Sequence, residues 1–181
     1  MDTNFDKSIH SPPLKTQKLS FATQVFLRVL ASAATVAAAW VVFTTSQTAV
    51  VYGIQVDARY SYSSAFKFLA YANVVASAFS LLSLFLVFVL ARTPLHSTHF
   101  FHFFLHDLSM AVLLMAACSA TTAIGYVGKY GNSHTGWMPI CDQFGRFCNR
   151  VIISALLSYL GCAVYLILTI ISAKKSQQLG A

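Results

Sequence analysis

Phe68–Leu90 reads FLAYANVVASAFSLLSLFLVFVL, 23 residues without a charged side chain, with Lys67 just before it and Arg92 just after. As a helix rising about 1.5 Å per residue, it reaches roughly 35 Å, enough to cross a hydrocarbon core of about 30 Å. Lipid offers the backbone no hydrogen-bond partners, so an apolar run of this length reads as a transmembrane helix. Leu108–Val127 and Val151–Ala173, of 20 and 23 residues, meet the same test. Val29–Phe43 has only 15 residues and becomes a span when extended back through Arg28 to Gln24 and forward to Ser46. The expected fold is therefore all-α, a four-helix transmembrane bundle. Its spans fall at about 24–46, 67–90, 105–127 and 151–173, within a membrane domain 23–173 flanked by a disordered tail 1–22 and a second tail 174–181.

Composition supports this reading. Of 181 residues, 57% are apolar and 9% charged, against about 25% charged in soluble domains. A water-facing globular enzyme and a disordered chain are both excluded. The net charge of +7 comes from twelve Lys and Arg against five Asp and no Glu. These cations are scattered between apolar runs, which suits anchors at lipid head groups and no nucleic acid. A cleaved leader is not expected, because the first twenty residues are polar and contain Pro12-Pro13. An even number of spans puts both ends on one side. Lys7, Lys15, Lys18, Arg92, Lys174 and Lys175 would then face Arg59, Lys67, Lys129, Arg146 and Arg150, a six-to-five split that leaves the orientation undecided.

Arg28 and Asp107 are the charges nearest helix interiors. Each sits a few residues inside the end that faces the N-terminal side, so the two are expected at matching depth on neighbouring helices, joined by a two-pronged hydrogen bond. The alternative is that each snorkels separately to the interface. Such a pair would fix helix register and assembly. Cys141 and Cys148 bracket Asp-Gln-Phe-Gly-Arg-Phe. Closing that loop is worth about 2.5 kcal/mol in the chain-entropy model, and in an oxidising exterior a disulfide is expected; two reduced thiols are the alternative. Cys118 and Cys162 read as small packing residues.

His96, His99, His102 and His106 share one helical face, a spacing open to zinc or copper. Interleaved with Phe100, Phe101, Phe103 and Phe104, they fit an interfacial helix start better, so no metal and no cofactor is expected. Asn73, Ser77 and Ser80, with Ser83, run close to one stripe of the second span; Ser154, Ser158 and Cys162 form a ridge on the fourth. Small residues let helices approach and hydroxyls bond across the contact. No acidic ring or continuous polar stripe suggests a filter.

Taken together, these features resemble the Casparian-strip membrane-domain protein-like (CASP-like) family of plants. The carriers are Arg28, Asp107, the run from Phe68 to Leu82, and the last-loop pattern Gly131-Asn132 … Trp137-x-x-Ile140-Cys141-x-x-Phe144-x-x-Phe147-Cys148. The exterior-loop residues Trp137, Phe144 and Phe147 belong to that motif. The resemblance implies a multi-pass plasma-membrane protein with both termini cytosolic and the cysteine pair outside. It also implies homo-oligomers and hetero-oligomers with related family members, contact with membrane lipid, and no small-molecule substrate. Some relatives build immobile platforms, and the namesakes recruit enzymes that deposit lignin in the wall. The loop from about Gln47 to Ser64 lacks the acidic-and-aromatic signature of the true Casparian-strip members, which points to a general CASP-like role. The expected function is a non-enzymatic scaffold that oligomerises laterally and recruits cell-wall-modifying proteins. The alternative is a small channel or transporter using Arg28, Asp107 and the polar face of span two.

Overall fold

The computed structural model describes residues 14–51, 53–90 and 97–180. Four long helices make up the body: α1 Leu14–Phe43, α2 Ser64–Leu90, α3 Ser97–Tyr130 and α4 Gly145–Gly180. Each contains a stretch long and apolar enough to cross a membrane: Phe21–Phe43, Ser64–Val89, Phe101–Tyr130 and Gly145–Gln177. The helices run past the limits read from hydropathy. Leu14–Ala22, expected in the disordered tail, is helical, and α1 stops at Phe43, short of Ser46. The helix α4 continues through Lys174 and Lys175 to Gly180. Hydropathy marks where a chain leaves hydrocarbon, whereas a helix already nucleated propagates into water at little cost.

The helices stand in sequence order around a square. α1 packs beside α2 and α4, and α3 beside α2 and α4, leaving α1 opposite α3 and α2 opposite α4. Alanines make close approach possible: Ala31, Ala76, Ala111, Leu114, Cys162, Tyr165 and Leu168 form one buried cluster, and Leu69, Ala72, Ala117 and Cys118 another. At Gly161, α4 comes so near α1 that a Cβ would sit 3.1 Å from Thr35 Cγ2. The outward faces carry large apolar side chains such as Phe26, Trp40, Phe85, Val112, Leu156 and Ile170.

The first connection is not plain loop. Ser46–Val51 (β1) and Ile54–Arg59 (β2) pair antiparallel, Ser46 opposite Arg59 and Val51 opposite Ile54, followed by a 3₁₀ turn at Tyr60–Tyr62. Gly53, at φ 82°, supplies the left-handed residue of the tight turn. An isolated hairpin is marginal in water. Here Ala49, Ala58 and Tyr60 pack on a third cluster, Phe66, Phe144, Phe147 and Val151, at the end of the bundle away from the termini.

Gly131 ends α3 at φ 68°, its N–H donating to Val127 O at 2.7 Å. Asn132 and Trp137 then exchange two backbone hydrogen bonds, so a Cβ on Gly131 would lie 2.5 Å from Trp137 O. At Gly128, one turn earlier, a Cβ would make only ordinary contacts at 3.6–3.8 Å. Gly131→Ala is therefore expected to destabilise the protein by about 1–3 kcal/mol, while Gly128→Ala leaves stability unchanged or higher; thermal unfolding of the two variants in mild detergent checks the contrast.

Candidate functional site

The deepest charges in the bundle meet near its terminal end. Arg28 and Asp107 are 1% and 0% exposed. Arg28 Nη1 donates to Asp107 Oδ1 at 3.0 Å and Nη2 to Oδ2 at 2.9 Å, the two-pronged geometry that a planar guanidinium allows. Nη1 also donates to Ser83 Oγ at 2.8 Å, and the guanidinium carbon lies 4.8 Å from the centre of the Phe103 ring. Asp107 Oδ1 has a further neighbour, His106 Nδ1, at 3.0 Å. The pair does not join neighbouring helices, as the depth argument supposed: α1 and α3 are diagonal, and Arg28 spans the bundle axis. Depth along a helix is readable from sequence, but the order of helices around the axis is not.

The second diagonal is closed in the same way. Asn73 of α2 donates its amide to Ser158 Oγ of α4 at 2.8 Å, and Ser158 donates back to Asn73 Oδ1 at 3.1 Å. The Tyr165 hydroxyl of α4 reaches Ala76 O of α2 at 2.9 Å. Adjacent helices are also bridged: Ser80 Oγ to Arg28 O, Thr121 Oγ1 to Ala65 O, and Ser154 Oγ to Ala38 O, with Thr122 and Tyr159 hydroxyls 3.1 Å apart. Every pair of helices, side by side or diagonal, thus has a polar link. Apart from Arg28 and Tyr165 the donors are short, and three of the four backbone acceptors are alanine carbonyls.

Ser77 lies at the edge of its stripe. It is half-buried, and its hydroxyl donates to Val74 O of its own helix at 2.8 Å, bridging nothing. At 100° per residue it lies about 40° from Asn73, on the side away from Ser80 and Ser83. Tyr165, by contrast, drew no attention in sequence because a tyrosine in an apolar run signals an interface as readily as a core. His106, read with its three partners as a candidate ligand, faces Asp107. His102 is exposed, His96 lies outside the described residues, and the described residues contain no group of three or more His, Cys, Asp or Glu placed to hold a metal.

At the opposite end, Cys141 and Cys148 form a disulfide with Cα atoms 5.8 Å apart. The last-loop motif divides there. Phe144 and Phe147 are buried against Phe66, while Trp137 is 59% exposed. Gln47, a β1 residue outside every motif, binds this region into the bundle. Its Oε1 accepts the Phe147 N–H, one of the free donors at the start of α4, at 2.8 Å. Arg150 returns the cap, donating to Thr44 O at the end of α1 at 3.3 Å. On β2, Asp57 accepts from the Tyr62 hydroxyl at 3.0 Å and from Arg59 Nε at 2.8 Å. These bonds hold the Asp57 carboxyl below its ordinary range, Tyr62 contributing most, and push the Tyr62 phenol up.

A buried Arg–Asp pair linking the first and third spans, a disulfide loop between the third and fourth, and four apolar helices coincide with one family model. The Casparian strip membrane protein domain matches residues 17–164. The chain belongs to that family. CASP-like protein 1F1 of Vitis vinifera is 53% identical over 169 residues, 93% of this chain and 82% of that protein. CASP-like protein 1F1 of Populus trichocarpa is 49% identical over the full length of both. The Ricinus communis protein of the same name is 51% identical over 170 residues, 94% of this chain and 95% of that one. No solved structure matches. This CASP-like chain is accordingly a multi-pass membrane protein with four helices able to span the bilayer.

Removing one member of a buried ion pair strands the other, so Arg28→Leu and Asp107→Leu are each expected to cost about 3–5 kcal/mol. The double variant, with no charge left unpaired, is expected to lose much less than the sum; unfolding of all three in one detergent tests this coupling. Cys141→Ser is expected to lower stability by about 2.5 kcal/mol, with the reductant sensitivity of the wild-type midpoint abolished.

Proposed function

We propose that this protein is a non-enzymatic scaffold of the plasma membrane, with both termini cytosolic and the hairpin and disulfide loop outside. Copies associate laterally with one another and with related family members, and the exterior hairpin and loop recruit cell-wall-modifying proteins. One observation carries the reading: two buried polar pairs, Arg28 with Asp107 and Asn73 with Ser158, close both diagonals of the bundle. A conduit needs polar groups facing water along a continuous path, whereas Arg28, Asp107, Asn73 and Ser158 are all 0–1% exposed and bonded to partners on opposite helices.

Lateral association draws support from what the helices leave outside. On α3, Ser109, Ala116, Ser119 and Ala123 are exposed between the larger Leu105, Val112 and Tyr130, so the face has low points where a neighbouring helix can come close. Lipid chains are as apolar as leucine, so helices associate in a bilayer through close packing at such small residues. Ala116 and Ser119 then lie at a contact between copies.

Two measurements test the proposal. Subunit counting by stepwise photobleaching, at native density in the bilayer, is expected to show oligomers that Ala116→Leu disperses without lowering the thermal midpoint; a strictly monomeric wild type refutes the scaffold. Ion and solute flux in proteoliposomes is expected to equal that of lipid-only vesicles, and a flux abolished by Asn73→Leu would establish the channel reading instead.

A further inference from the structure

At the end of the bundle away from the termini, β2, the 3₁₀ turn and Phe66 of α2 face the end of α3 across a cavity of about 480 Å³, floored by the start of α4 and the disulfide loop. Sites for small molecules fall at about 300–1,000 Å³. Its wall changes character along the helix axes. Phe66, Ile124 and Ile152 line the part nearer the membrane centre, and Arg59, Lys129 and Asn149 the part near the loops.

Two glycines hold this space open. A Cβ on Gly125 or Gly145 would meet nothing within 4 Å. Gly125 lies inside α3, where glycine weakens a helix relative to alanine. It has no positive φ and no close neighbour to require it. What its missing side chain does is keep the α3 wall back from the cavity it lines.

The charge at the mouth is unbalanced. Asp57 is matched by Arg59 at 2.8 Å. Lys129 is exposed, with its ammonium 5.3 Å from the Tyr130 ring, and it has no acidic partner among the described residues. The cavity therefore pairs an apolar interior with one uncompensated cation. The rings of Tyr126 and Tyr130 lie 4.8 Å apart, tilted, on the same end of α3 and are 65% and 62% exposed, the side chains that gather at head-group level. A ligand reaching the cavity sideways, from the leaflet, meets the apolar part with its chain and Lys129 with its head.

We propose that this cavity binds one anionic phospholipid, an acyl chain lying against Phe66, Ile124 and Ile152 and the phosphate at Lys129, with Asn149 as a further donor. The proposal does not depend on the scaffold reading, because a monomer presents the whole site. Native mass spectrometry of the full-length chain in mild detergent, titrated with phosphatidylglycerol or with phosphatidylcholine of the same chains, tests it. The wild type is expected to retain one phosphatidylglycerol per chain in preference to phosphatidylcholine. Lys129→Gln is expected to lower that preference about fivefold, the effect of one near-surface cation. Gly125→Leu fills the cavity and is expected to abolish retention while leaving the thermal midpoint unchanged or raised. Ile152→Trp, filling the same space from α4, gives the same readout if the first variant does not fold. Equal retention of the two lipids by the wild type, or undiminished retention by a folded cavity-filling variant, overturns the proposal. Preferential retention of oleate over phosphatidylglycerol overturns its assignment to a phospholipid.

Discussion

A guanidinium on α1 reaches across the bundle axis to a carboxylate on α3, and the other helices are arranged around that contact. Arginine suits the position because its reach and flat, forked head span a diagonal that a shorter or less directional cation could not. Transfer of both charges out of water is costly, so the pair adds little net stability compared with apolar side chains of the same size. Its consequence is specificity. Once helices are in lipid, either charge left alone is far worse than the pair, so register, rotation and helix order that separate Arg28 from Asp107 are disfavoured together. Ser83 accepts a further hydrogen bond from Arg28 and Ser80 donates to the Arg28 carbonyl, which ties α2 to the same point.

The far end of the molecule uses different means to the same effect. There the chain leaves hydrocarbon, and the ends of helices present unpaired backbone groups. Gln47 caps the start of α4 and Arg150 the end of α1, each from the other's segment. The hairpin, the Phe66–Phe144–Phe147 cluster and the disulfide then close the cap. With an ion pair at one end and a packed cap at the other, the bundle is fastened at both. Between them Asn73, Ser158 and Tyr165 close the other diagonal, from α2 to α4. What remains outside is apolar, with small residues set between large ones along α3.

Four spans, the matching depth of Arg28 and Asp107, and the proximity of Cys141 to Cys148 are all one-dimensional properties: run length, distance from a helix end, and loop size. Each is read from one segment at a time, and lipid makes the reading strong by forcing every spanning segment into a helix. Family membership was legible for the same reason, since its carriers stand in a fixed order along the chain. What needed three dimensions was every statement about angle around an axis. That Arg28 faces a diagonal helix, that Ser77 at the edge of its stripe bonds only its own helix, and that His106 faces Asp107 all depend on how the helices rotate against one another. The hairpin likewise packs on Phe144 and Phe147, and the cavity at Gly125 lies between β2, the end of α3 and the start of α4. Hydrophobicity decides which segments enter the membrane; once they are inside, it no longer distinguishes one apolar face from another, and only packing and polar contacts between helices decide the rest.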